Sequence, residues 1–236
     1  MATETDEFAP ILDGPGDSDY ERYLRTGELL ALQKAPHEWV HRDELLFQTV
    51  HQSSELWLKL CGFELETATQ RMTDGDLADA IRLLRRAVDC VKITHDLLDM
   101  LEHMSPWEYQ EIRRVLGHGS GFDSPGWRRI RHAAPALGES WHKLRRAEGL
   151  SIVELYQRGR EFEQLYQLGE LLIELDERIT MWRVRHFKVV ERVIGGEVVG
   201  TQGTPVELLG ALVKKNLYPE LWKARTDITN AAKEFD

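Results

Sequence analysis

Phe47-Gln-Thr-Val-His51-Gln-Ser-Ser-Glu-Leu-Trp57 and Trp182-Arg-Val-Arg-His186 each place an imidazole inside an apolar-periodic stretch. The two stretches lie far apart in sequence, so they belong to different helices. Imidazoles on two helices can face each other across a planar cofactor, and a neutral imidazole is a common axial ligand of haem iron. Phe47 and His51 are four residues apart and share one helix face with Ser54. His186 shares its face with Trp182 and Val190, among the cations Arg183, Arg185, Lys188 and Arg192. Those cations read either as a solvated basic face or as partners for the carboxylates of such a cofactor. Each histidine also has a plainer reading, as a core side chain bonded to a backbone carbonyl.

Tyr109 and Arg113 form a second pair at i, i+4. A guanidinium there can grip a carboxylate with two parallel hydrogen bonds; its plain reading is a surface arginine like Arg114. The loop Gly117-His-Gly-Ser-Gly-Phe-Asp-Ser offers backbone N–H groups, but it lacks the Gly-Lys-Ser/Thr ending and the preceding strand of a phosphate loop. His37-Glu-Trp-Val-His41 fits the zinc-protease spacing, which works only on a continuous helix. Pro36 stands immediately upstream and apolar periodicity begins only after Asp43, so a catalytic zinc is not expected. The Glu-x-x-His pairs Glu38–His41 and Glu139–His142 lie outside long periodic segments, which argues against a ferritin-like di-iron site.

Glycine and proline are scarce in the long middle segments, so helix is the expected state and the expected fold class is all-α. Tyr20 to Gln33 reads as a short amphipathic piece, and Ala35 to Val40 as a loop. Helices are expected from about Asp43 to Arg71 and from about Leu77 to His103. Ser105-Pro-Trp-Glu reads as a helix start with Ser105 at the N-cap, and that helix ends near Gly117. Pro125 to Gly149 reads as less regular. Ile152 to Ile194 reads as one long helix with a kink near Gly159 or Gly169, and Val206 to Lys215 as a short helix after a second glycine loop, Gly195 to Pro205. No period-2 strand pattern and no internal repeat stands out.

The chain has 236 residues, 42% of them hydrophobic, enough for one large domain or two small ones. A formal net charge of −10 argues against binding a phosphate backbone, which calls for clustered Lys and Arg. Cys61 and Cys90 read as buried thiols in a reducing compartment, and no apolar run approaches a membrane span of ~18 residues. The acidic segment 1–19 reads as a mobile arm, 20–236 as a single domain, and the protein as cytoplasmic.

Taken together, these segments resemble the tryptophan 2,3-dioxygenase family of haem enzymes. The blocks that carry the resemblance run in family order along most of the chain: Tyr20-Glu-Arg-Tyr23-Leu24-Arg25; Asp43 to Leu60; Tyr109-Gln-Glu-Ile-Arg113-Arg-Val-Leu-Gly117; Ser120-Gly121-Phe-Asp-Ser124; Trp182-Arg-Val-Arg-His186; Arg192-Val-Ile-Gly195; and Gly200-Thr201.

The resemblance implies an all-α bundle around haem b. It implies that His186 is the axial iron ligand, with Trp182, Ser120 and Gly121 beside the haem. His51 would accept the indole N–H of the substrate on the distal side and Phe47 would pack on the indole. Arg113 would grip the substrate carboxylate, with Tyr109 and Thr201 fixing the amino-acid end. Tyr20, Tyr23 and Leu24 would complete the pocket of a neighbouring subunit, in a homo-oligomer built on dimers. The implied reaction takes O2 and L-tryptophan to N-formylkynurenine. Two departures keep other products open: the stretch from Gly126 to about Leu155 is short for the family, and the loop between His186 and Thr201 is about one residue longer. Relatives sharing this core mono-oxygenate substituted tryptophans to 2-oxindoles or hydroxylate tyrosine. A non-catalytic haem sensor is a further alternative, against which Arg113 and Thr201 argue, since a gas sensor needs no carboxylate grip.

Overall fold

The computed structural model describes residues 9–233, and residues 1–8 of the expected arm lie outside that range. Among the described residues the regular structure is helical, with one isolated antiparallel bridge between Val199 and Pro205. The helices are α1 (Asp19–Leu24), α2 (Thr26–Leu30), α3 (Glu44–Thr73), α4 (Leu77–Leu97), α5 (Tyr109–Val115), α6 (Pro125–Ala147), α7 (Ile152–Gln157), α8 (Glu163–Ile194), α9 (Glu207–Leu212) and α10 (Pro219–Ala232). The all-α expectation holds. No described helix is long and apolar enough to cross a membrane.

Helices α3 and α4 form a hairpin closed by Asp74 and Gly75, whose φ of 81° is open to glycine at little cost. Helix α3 also packs on α6, and α4 on α8. The larger core runs between these four helices, where Leu58, Leu65, Leu84, Leu137, Trp141, Leu168 and Leu172 are almost fully buried. A smaller core of Val50, Leu98, Leu101, Met104, Ile112, Val189 and Val193 joins α3, α5 and the far end of α8.

Several element boundaries differ from expectation, each for a local reason. The 20–33 piece splits at Arg25, which adopts a left-handed φ of 55°. The 35–40 loop contains a 3-10 turn, Pro36–Glu38. Helix α4 stops at Leu97 and tightens into a 3-10 turn, Leu98–His103. Ser105 is not an α-helix N-cap: its carbonyl accepts from Tyr109 N (2.9 Å), but residues 106–108 form a turn and α5 begins at Tyr109.

The stretch after Pro125 is a continuous 23-residue helix despite Pro135. Ser124 caps it by accepting from Trp127 N, and Pro125 occupies its first turn. Ile130, Ala134, Leu137 and Trp141 recur on one buried face. An interior proline costs about 3 kcal/mol, and burial of that face offsets it. The expected 152–194 helix is instead two helices, interrupted at 158–162. A Cβ at Gly159 would stand 3.0 Å from Tyr166, so the break lets that ring close over the backbone. Gly169 causes no break: it receives Trp141, whose Cζ2 lies 2.9 Å from where a Cβ would be.

The sequence reading did not identify α10. It is tied down by the buried Asp176 of α8, whose carboxylate accepts from Leu217 N (2.9 Å), Tyr218 N (3.1 Å) and Trp222 Nε1 (2.9 Å). Asp176→Ala strands these three donors and is expected to cost about 2–4 kcal/mol, from the price of unsatisfied buried groups. Urea unfolding measures this, and a loss below about 1 kcal/mol would refute the anchoring role.

Candidate functional site

Between the two cores lies a cavity of about 470 Å3, within the size range of small-molecule and cofactor sites. Several segments wall it, α6 among them through Trp127, Ile130 and Arg131. Helix α3 contributes Phe47, His51 and Glu55; α5 contributes Tyr109 and Arg113; and the first glycine loop contributes Ser120 and Gly121. Helix α8 contributes Trp182, Arg183 and His186, and the second glycine loop Thr201. Ten of the residues singled out from sequence therefore converge, although they come from segments up to 154 positions apart.

His186 is stacked under Trp182, with ring centroids 4.8 Å apart and planes 7° from parallel. Trp182 is in turn packed on Trp127 at 4.4 Å. These contacts fix the imidazole ring without consuming its nitrogens, since neither has a hydrogen-bond partner among the described residues. Gly121 carries no side chain beside it: a Cβ there would stand 3.9 Å from Cε1 and Nε2. Burial above all, with a smaller part from the charge of His51, lowers the His186 pKa from 6.5 to about 4. The ring is therefore neutral at physiological pH, with a lone pair available to a metal.

His51 has a large accessible area, but that area opens into the cavity. Burial holds its pKa below 6.5, opposed by its bond to Phe47 O and by the Glu55 charge. Its Nδ1 lies 2.7 Å from the Phe47 carbonyl oxygen. A carbonyl only accepts, so Nδ1 carries the proton and the neutral ring leaves Nε2 as an acceptor. Phe47 stacks on His51 at 4.1 Å and lies 6.0 Å from Tyr109. Burial raises the Tyr109 pKa, with Arg113 opposing, so the hydroxyl stays protonated and able to donate.

The mouth is strapped by the second glycine loop. Arg113 Nη2 donates to Val199 O (2.5 Å), Thr201 Oγ1 to Gly119 O, and Gln202 Nε2 to Asp123 Oδ2 (2.6 Å). Glu55 holds the start of α6, accepting from Ser124 Oγ and from Gly126 N (2.9 Å).

Both histidines charge reluctantly in the folded chain, which sets a pH dependence. Between about pH 6.5 and 4 the unfolded chain binds more protons than the folded one, so stability falls as pH drops through that window. The thermal midpoint of the ligand-free protein is expected to decline over this range, and less steeply in His186→Gln. Identical slopes in the two proteins would contradict the burial of a neutral His186.

Tyr20, Tyr23 and Leu24, expected to reach the pocket of a neighbouring subunit, are exposed on α1, at 68, 78 and 46%, and do not line their own chain's cavity. Of the cations around His186, Arg185 is held by Asp99 and Glu102, Arg192 by Glu102 and Lys188 by Glu191, so these three form the solvated face. Only Arg183 lines the cavity. His37 lies in a 3-10 turn and His41 beyond it, so the zinc-protease pattern has no helix to stand on. Among the described residues no three His, Cys, Asp or Glu side chains group to hold a metal. Sequence reasoning missed Glu55 and Arg131. Glu55 had a signal, being four residues after His51 on the same face. Arg131 lay in the stretch read as irregular and had none.

The sequence model of tryptophan 2,3-dioxygenases matches residues 11–139 and 132–228. The chain belongs to the tryptophan 2,3-dioxygenase family. It is thereby an enzyme of dioxygenase type. Among similar proteins are tryptophan 2,3-dioxygenases from Bacillus thuringiensis subsp. konkukian (31% identical, covering 89% of this chain and 92% of the relative) and Polaromonas sp. (31%, covering 92% and 90%). Another, from Caulobacter vibrioides, is 30% identical, covering 90% of this chain and 99% of the relative. These alignments run over 260 to 268 positions, more than the 236 residues of this chain, so the family relatives carry segments with no counterpart here. The two family-model matches meet at 132–139, inside α6.

Proposed function

We propose that this chain is a haem-dependent dioxygenase that opens the indole ring of L-tryptophan to N-formylkynurenine. The observation that carries the reading is the convergence of an unbonded neutral imidazole, an acceptor imidazole, an aromatic shelf and an arginine in one cavity. The residues fit a b-type haem: His186 offers a free lone pair, Gly121 keeps the space beside it clear, and Trp182 holds the ring plane. Haem iron, when bound, supplies the binding and activation of O2.

The chain's own groups bind and orient the amino acid. His51 Nε2 accepts the indole N–H, which fixes the C2–C3 bond relative to the cofactor. Phe47 packs on the indole face. Arg113 exchanges its bond to Val199 O for the substrate carboxylate, and Tyr109 and Thr201 fix the amino-acid end. Closing the glycine loop over the mouth then excludes water. Tyr20, Tyr23 and Leu24 are left exposed on their own chain, as expected of side chains that complete the pocket of a second copy. The single domain and a homo-oligomeric state belong to the same proposal.

A second reading, mono-oxygenation of a modified tryptophan, draws on the missing segment at α6, since Ile130 and Arg131 of that helix line the cavity. Turnover of L-tryptophan under 18O2 separates the two. A product heavier by two labelled atoms supports dioxygenation; one labelled atom supports the second reading and overturns the first.

His51→Ala is expected to retain haem and lower kcat/KM about tenfold, the worth of one hydrogen bond of 1–2 kcal/mol. Loss of the Soret band in this variant would show that His51, not His186, carries the iron.

A further inference from the structure

The cavity holds two charges that substrate orientation leaves unused. Of the four arginines on α8, Arg178 pairs with Glu174, Arg185 with Asp99 and Glu102, and Arg192 with Glu102. Arg183 makes no ion pair among the described residues, and it is the one that lines the cavity. Its Nη1 donates to Leu212 O (3.3 Å) and Lys215 O (2.5 Å), leaving the rest of its fork uncommitted. Arg131 of α6 lines the same cavity and makes neither an ion pair nor a side-chain hydrogen bond among the described residues.

The two cations are close enough to disfavour one another. Burial, and then Arg131, weaken Arg183's hold on its proton, while Asp176 works the other way. Asp176 cannot serve as the missing partner, because its oxygens are taken by Leu217, Tyr218 and Trp222. The cavity that Arg131 and Arg183 line is also walled by the apolar Ile130, Ile179 and Leu217. Arg131 is exposed and Arg183 partly buried, and the like charges of the two leave a place that an anion would neutralise. The chemistry they suit is an apolar body that carries carboxylates.

We propose that Arg131 and Arg183 form a clamp for the propionate carboxylates of the haem, leaving Arg113 to the amino acid. This inference rests on the haem reading above. It also divides the basic residues around His186 by function: Arg183 faces the cofactor, and Arg185, Lys188 and Arg192 face their acidic partners.

The test compares haem with haem dimethyl ester, in which the carboxylates are masked. Loss of each from the reconstituted full-length protein into excess apomyoglobin is followed by the Soret band. Wild type is expected to release the ester about tenfold faster than haem, the worth of charge-assisted bonds. Arg131→Gln is expected to release haem faster by about the same factor, with ester release unchanged. Equal release of both from wild type, or unchanged haem release in Arg131→Gln, overturns the clamp. Unchanged haem release with a raised KM for tryptophan also overturns it, by assigning the pair to the substrate carboxylate. Arg183→Gln releasing both faster would reflect its lost bonds to Leu212 and Lys215. Arg131, which holds no such carbonyl, then decides. A wild type with no Soret band at all overturns the haem reading itself, a failure distinct from the others.

Discussion

His186→Ala is expected to yield a colourless protein that folds but retains no haem. The imidazole is held by stacking rather than by hydrogen bonds, between Trp182 and the open space at Gly121. Its depressed pKa, about 4, keeps the nitrogen lone pair free across the physiological range. Alanine removes the imidazole that would hold the iron on the proposed reading, and the other α8 residues lining the cavity, Trp182, Arg183 and the aliphatic side chains, offer no equivalent lone pair. Reconstitution followed by gel filtration and a Soret reading measures the effect, expected as at least a hundredfold drop in retained haem, since losing even an outer-shell partner of a metal ligand costs about 10–100-fold. Exogenous imidazole is expected to restore part of the band by filling the vacated space. Normal retention in the alanine variant would remove His186 from the iron.

Arg113→Ala is the second large effect expected. Arg113 bonds Val199 O, so the same guanidinium ties α5 to the loop that lies over the mouth. Losing it would remove both the proposed carboxylate grip and that tie. Truncating one partner of a desolvated charged pair costs about 2–5 kcal/mol, so kcat/KM is expected to fall at least about thirtyfold. If the grip binds ground and transition states equally, the loss falls on KM; a fall in kcat as well would show that the grip also aligns the indole. Arg113→Lys keeps the charge without the fork and is expected to recover only part of the loss. Wild-type kinetics in Arg113→Ala would exclude the assigned role.

The helical fold class and most of the site were legible because they rest on local rules. Phe47 with His51, Tyr109 with Arg113, and Trp182 with His186 are all i, i+4 pairs, and the helix period alone put each pair on one face. What period could not show was decided by long-range packing. Pro135 argued against a helix over 125–147, but Trp141 packed against Gly169 and its indole N–H bonded to Leu165 O hold that helix in place. Helix α10 has a weak pattern of its own and depends on Asp176, 41 residues upstream of its first contact. Arg131 was invisible for the same reason, since its helix was not expected. The cations after Trp182 show the opposite failure: one charged run divides between cavity and solvent according to where Asp99, Glu102 and Glu191 fall, which only the fold decides.

The most direct test of the central claim is a visible spectrum of the haem-reconstituted full chain, recorded before and after L-tryptophan is added. The account predicts a Soret band that His186→Ala abolishes, and a shift of that band when tryptophan packs on Phe47 beside the cofactor. A protein that takes up no haem, or whose Soret band survives in His186→Ala and ignores tryptophan, would contradict it.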